Sequence, residues 1–144
     1  MKALLDTSVL VAGMQELNVH HHLALPVLAS AQCGQLEAVV SAHSLAEAYA
    51  VLTRMPPPHR ISPARAWLAL EANVLSVMQV YALSATDYRD LLEHLATHNI
   101  AGGVTYDAVI AWVALKTQVD QIITLNAKDF RRVVPALAAQ VVTP

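Results

Sequence analysis

Cysteine is all but missing: Cys33 is the single one in a sequence of 144 residues. A lone thiol excludes a disulfide framework and a cysteine-based zinc site, and it fits a reducing cytoplasm. Cys33 itself reads as a small packed hydrophobe. Charge is scarce as well, at 14% of the residues with a net of −2, against 56% hydrophobic residues. That balance excludes nucleic-acid binding through a broad basic face, but not an enzyme that touches a few phosphates locally. Long apolar runs are absent too. Asn73, Ser76 and Gln79, or Asp107, interrupt the apolar stretches before the ~18 residues of a membrane-spanning helix accumulate. Neither a membrane segment nor a signal peptide is expected, since an acid stands at position 6 and no cleavage-type region follows it. The turn after the first apolar run, Asp6-Thr7-Ser8, contains no glycine, which excludes a glycine-rich phosphate cradle there.

What is present is material for a thick core in one domain spanning residues 1–144, with an apolar surplus expected to meet a partner. A chain of this length buries about two-thirds of its unfolded surface. Residues 2–11, KALLDTSVLV, form an apolar run that ends on a carboxylate and continues into two hydroxyls. The run is too short and too apolar for a one-sided strand, so it reads as a central strand covered on both faces. Asp6 then stands at the strand's carboxyl end, with Thr7 or Ser8 capping the helix that follows. Ligands of open α/β sheets bind at that edge. Asp6 is therefore a site candidate, with a plain helix cap as its alternative.

The rest of the chain alternates in the same way. Helices are predicted over 8–15, 20–32 (with Gly34 as C-cap), 42–54 (capped by Ser41), 63–75 (opened by Pro63), 84–98 and 107–117. Strands are predicted over 35–40, 77–83, 120–124 and 138–142, and a turn into a short helix over 126–129. Ser84 and Asp87 have the spacing of a capping box. Strands alternating with helices, without a long polar linker, imply an α/β fold: a doubly wound parallel sheet in three layers. Two histidine patterns are set aside. His20-His21-His22 opens a helix, where consecutive side chains diverge by about 100°, and Asp90, His94 and His98 read as a surface stripe.

Among the acids, Glu16, Glu37, Glu71, Asp87, Asp90, Glu93 and Asp120 read as solvated. Asp6, Glu47, Asp107 and Asp129 are different. Each follows a strand or falls in an early turn of a helix, and parallel strands send all their carboxyl ends to one edge. His43, four residues before Glu47, shares its face. Crowded carboxylates have raised pKa values or demand a cation. Hard oxygen ligands suit Mg²⁺ or Mn²⁺, and a metal so held supports phosphodiester hydrolysis. The acids alone thus point to metal-dependent phosphodiester cleavage, against capping and core roles. Arg54, Lys128, Arg131 and Arg132 fall just after segments at the same edge, although each singly reads as surface charge.

Four motifs, LLDTSVL, SLAEAYAVLTRMP, TYDAVIAWVAL and IITLNAKDF, occur here in an order that resembles the PIN-domain family. Within it the chain is most similar to the VapC-type toxin ribonucleases of bacterial toxin–antitoxin pairs, over nearly its whole length. The resemblance implies that Asp6, Glu47 and Asp107 occupy the family's acidic metal-binding positions. It also implies that Thr124 is the hydroxyl after the last central strand. Many relatives carry Asp two residues further on, where this chain has Asn126, so Asp129 is expected to supply the fourth charge. Thr7, Ser8 and Asn126 are accessory candidates beside Thr124. The implied activity is that of an endoribonuclease dependent on Mg²⁺ or Mn²⁺. Its implied partners are RNA, a cognate antitoxin and a second copy of itself, with Arg54 and Arg131 or Arg132 contacting phosphates. The alternatives are a catalytically silent PIN scaffold and a haloacid-dehalogenase-type phosphatase. The latter needs an acid where Ser8 stands.

Overall fold

The structure is a computed structural model describing residues 1–144. Strand β1, Lys2–Leu5, lies at the centre of a five-stranded, all-parallel sheet. Its neighbours are β2, Glu37–Ser41, and β4, Gln121–Ile123, with Leu4 opposite Val39 on one side and Ile122 on the other. Beyond them lie β3, Gln79–Tyr81, and β5, Val141–Val142, giving the order β3-β2-β1-β4-β5.

Alternation along β1 divides the interior in two. Ala3 and Leu5 join one apolar cluster, and Leu4 joins the other. The first cluster is roofed by α1, Thr7–Met14, α2, His21–Gln32, α3, Ala42–Arg54, and α4, Pro63–Leu70. The second is roofed by α5, Ala85–Thr97, α6, Val104–Thr117, and α7, Ala127–Val133. Leu4 and Leu5 are fully buried, and each such side chain contributes roughly 1.5–3 kcal/mol. The expected three-layer, doubly wound sheet is therefore the fold. No helix is long and apolar enough to cross a membrane.

Several boundaries differ from the sequence reading. The cap of α1 is Asp6 itself, whose side chain accepts from the Ser8 amide, and not Thr7 or Ser8. The helix from Pro63 gives way after Leu70 to a wider π-type turn over Glu71–Leu75. Strand β3 is shorter than predicted because β2 offers it a register of only Val39, Val40 and Ser41. Helix α6 begins at Val104, so Asp107 falls within its first turn and does not open it. Ala138 to Gln140 belong to a 3₁₀ segment that starts at Pro135, and only Val141 and Val142 are strand.

Three residues read as ordinary have other roles. Asp87 completes the capping box and is buried, with Lys116 Nζ of α6 2.8 Å from its Oδ1. The Lys116 ammonium, before the cap itself, holds its carboxyl below the usual range. The pair joins α5 to α6. Asp120 Oδ2 accepts from the Lys2 amide at 2.8 Å, pinning the start of β1. Cys33 is exposed at the end of α2, not packed.

Gly13 is where α1 meets α2: a Cβ there would lie 2.2 Å from Leu28 Cδ1 and 2.8 Å from its Cγ. Leu28 is itself buried and cannot swing away. Overpacking a filled interior costs about 1–3 kcal/mol. Gly13→Val is therefore expected to lower stability by that amount in thermal or denaturant unfolding, and an unchanged melting temperature would contradict this close approach.

Candidate active site

Asp6 follows β1 directly and is clamped from two elements. Its Oδ2 accepts from Ser8 Oγ at 2.5 Å, from the Ser8 amide at 3.4 Å and from Thr124 Oγ1 at 2.8 Å. Ser8 Oγ in turn accepts from the Leu125 amide, and Thr124 Oγ1 accepts from the Asn126 amide. The chain leaving β1 and the chain leaving β4 are thus laced together through one carboxylate oxygen. With Oδ2 engaged, Oδ1 is the oxygen left for a ligand. Burial raises the Asp6 pKa, and the bonds from Ser8 and Thr124 oppose that rise in part.

Glu47 reaches the same edge from the second turn of α3. Its Oε2 is 3.2 Å from Thr7 Oγ1, a donor that also lies 3.0 Å from Ser44 Oγ. His43, one turn earlier on the same face, has Nε2 3.0 Å from that Oε2. The imidazole nitrogen is buried and the angle is too poor for a hydrogen bond. The His43 ring lies parallel to that of Tyr106, with centroids 5.4 Å apart and 2° between the planes.

Asp107, in the first turn of α6, is pushed up to about 7, by burial first and then by the negative charges of Asp6, Asp129 and Glu47. The four acids singled out in the sequence therefore share one electrostatic neighbourhood. Neither Lys nor Arg is paired with any of them: the ion pairs made by Lys or Arg are Lys2–Glu37 and Lys116–Asp87. Asp6, Glu47 and Asp107 line an open cavity of about 370 Å³ together with Thr7, Ser8 and Asn126. Asp129 stands outside its lining and is tied to Asn126, whose Nδ2 donates to Asp129 Oδ2 at 2.8 Å. The Asn126 carbonyl oxygen is not used in that bond.

Uncompensated carboxylates with only oxygen donors suit a hard divalent cation. No three of these side chains close on a single point as a finished cage. Three carboxylates around an open cavity leave room for an ion that keeps some of its own waters, and not for a closed all-protein cage.

A family profile described as PIN domain matches residues 3–134. The chain belongs to the PIN-domain family. Over 111 residues this PIN domain is 42% identical to Ribonuclease VapC40 of Mycobacterium tuberculosis, covering 76% of this chain and 75% of that one. It is 37% identical over 78 residues to Ribonuclease VapC27 of the same species, covering 54% and 55%. In backbone it is similar to M. tuberculosis VapC20, described as a Sarcin-Ricin loop cleaving toxin. The TM-score is 0.70 at 20% identity, over 88% of this chain and 92% of that one. It is similar also to VapBC2 of Rickettsia felis bound to a promoter DNA fragment, with a TM-score of 0.69 at 20% identity over 100% and 99% of the chains.

The basic residues fare differently from the acids, since Arg54, Arg131 and Arg132 are absent from the cavity of this PIN domain. Arg54 lies at the far end of α3, about 10 Å along the axis from Glu47. Arg131 Nη2 donates to the Val141 carbonyl at 3.0 Å and so braces β5, while Arg132 lines a separate hollow beside His98 and Asn99. The stripe histidines are bound to backbone: His94 Nε2 to the Val133 carbonyl and His98 Nδ1 to that of His94. Two further lining residues are Asn18, which nothing in its local pattern marks, and His20, set aside in the sequence as part of the His20-His21-His22 triplet. They sit between α1 and α2, and only the packing of α2 on α1 brings them to the cavity.

The elevated carboxyls set a sign for the pH dependence. Asp107 holds its proton to about pH 7 when folded but releases it near the ordinary aspartate value of 3.8 when unfolded. The native state then binds more protons across that interval, and stability falls as pH rises through it. Metal-free protein should lose melting temperature between about pH 4 and 7, and Asp107→Asn should flatten this dependence. A wild-type curve that rises over the interval, or an Asp107→Asn curve as steep as wild type, would contradict the crowding.

Proposed function

We propose that this chain is an endoribonuclease of the VapC type, the toxin of a toxin–antitoxin pair, cleaving RNA phosphodiesters at a site that uses Mg²⁺ or Mn²⁺. The carrying observation is the crowded set of carboxylates without a Lys or Arg partner, with buried Asp6 at its centre and Asp107 raised to about 7 by burial and by Asp6, Asp129 and Glu47. Buried charge without a partner is costly. A scaffold that had given up catalysis would have no use for it, which argues against the silent-scaffold alternative. The 42% identity to Ribonuclease VapC40 gives independent support.

In this reading Asp6, Glu47 and Asp107 hold the cation, with Asp129 adding charge from outside the cavity. The cation, when bound, would ionise a water and offset the charge that builds on the phosphodiester. Ser8 and Thr124 keep Asp6 in one orientation. Thr7 supports Glu47, and Asn126 orients Asp129. Arg54 and Arg132, outside the cavity, are left to phosphates further along the strand, whereas Arg131 is engaged as a brace to β5. An antitoxin and a second copy of the chain are the proposed protein partners, supported by the exposed Trp67 and Leu68 on α4 and Leu17 and Val19 after α1.

Purified protein is expected to cleave single-stranded RNA with Mg²⁺ or Mn²⁺. Excess EDTA should abolish the activity, and Asp6→Asn or Asp107→Ala should lower it at least ~100-fold, in line with loss of a group acting on the reacting centre. Cleavage that persists in EDTA would sink the proposal. A titration of initial rate against Mg²⁺ tests the outer acid. Asp129→Ala should raise the concentration needed for half-maximal rate, with a smaller effect at saturation, and Asn126→Asp should lower it. Superimposable curves for parent and Asp129→Ala would remove Asp129 from the site.

A further inference from the structure

Tyr106 is 58% exposed although it adjoins Asp107 on an apolar helix with seven buried residues, from Ala108 to Thr117. Exposure of an aromatic ring is ordinary; a ring whose plane is held is less so. The ring of Tyr106 lies parallel to that of His43 within 2°, and His43 Nε2 is buried 3.0 Å from Glu47 Oε2. One side of the phenol is thus backed by α3, while the remainder is open to solvent at the rim of the acidic edge.

The cavity next to it presents three carboxylates, and none of the nine Lys and Arg residues lines it. Phosphates are repelled there except where a cation intervenes, so any hold on a polynucleotide beyond the phosphate at that cation falls, close to the acids, to contacts that carry no charge. Unpaired bases offer one, because every base has a face that can stack on an aromatic ring regardless of its sequence. We propose that Tyr106, backed by His43, is a stacking platform for an unpaired RNA base adjoining the phosphodiester held at the acids. This rests on the endoribonuclease reading above and adds to it the residue that holds an unpaired base. The hydroxyl of Tyr106 takes no part in stacking. Phenylalanine at this position therefore suffices.

The test maps a cleavage site of the parent protein in total RNA. It then measures steady-state cleavage of a single-stranded oligoribonucleotide carrying that site, in Mg²⁺. Tyr106→Ala and Tyr106→Leu are expected to raise KM by roughly 5- to 100-fold, the range for loss of one stacked base, with a smaller change in kcat. Tyr106→Phe should restore the parent KM, and all three variants should melt within a few degrees of the parent. An abasic nucleotide at one position flanking the cleaved bond should raise the parent KM equally and add nothing further in Tyr106→Ala. A KM for Tyr106→Ala within two-fold of the parent overturns the platform. So does an equal loss in Tyr106→Phe, or fully additive effects of the variant and every abasic position. Failure of the parent to cleave any RNA would instead remove the endoribonuclease reading on which the platform stands.

Discussion

Parallel pairing of β1 between β2 and β4 is the constraint on which the site depends. It aligns the carboxyl ends of three strands, so that Asp6 after β1, Thr124 after β4 and the start of α3 after β2 meet at one edge. The register places Leu5 opposite Ile123, and the Asp6 amide then donates to the Ile123 carbonyl at 3.0 Å. From there the distance between Asp6 Oδ2 and Thr124 Oγ1 follows. A slip of one residue would move Asp6 out of reach and exchange Leu4 and Leu5 between the two clusters, because side chains alternate with a period of two.

The same edge has opposing demands. Apolar layers on both sides of β1 exclude water and thereby raise the cost of ionising Asp6 and Asp107. Hydroxyls from Ser8 and Thr124 and the Ser8 amide moderate that cost at Asp6. Asp107 has no comparable set of donors and carries the larger share of the repulsion. A fold that stored this imbalance without a ligand would be giving up stability at neutral pH. A cation bound there, as proposed, would release it and so tie metal affinity to the stability of the fold.

Away from the edge, charged residues act as fasteners. The Lys116–Asp87 pair joins α5 to α6, Asp120 holds the first residue of β1, and Arg131 reaches from α7 to β5. In so apolar a chain several of the charges outside the site are used where elements join. This explains why acids that look solvated in a linear reading prove to be engaged.

Much of the architecture was legible beforehand. Short apolar runs alternating with helical periods imply a parallel sheet covered on both faces, and the position of an acid relative to a strand's end depends on local order alone. Ser41, Ser84 with Asp87, and Pro63 mark helix starts through bonds within a single turn, which is why they could be read directly. Asp6, Glu47, Asp107 and Asp129 could be named as a group for the same reason. What the sequence by itself could not determine depends on contacts between residues far apart in the chain. The bond from Thr124 to Asp6 spans 118 positions. The placing of Asn18 and His20 over the cavity depends on Gly13 letting α2 approach α1. The backing of Tyr106 by His43, the engagement of Arg131 with Val141 and the exposure of Cys33 were likewise decided by packing. Local pattern reports which way a side chain can face; only the assembled layers determine what it meets there.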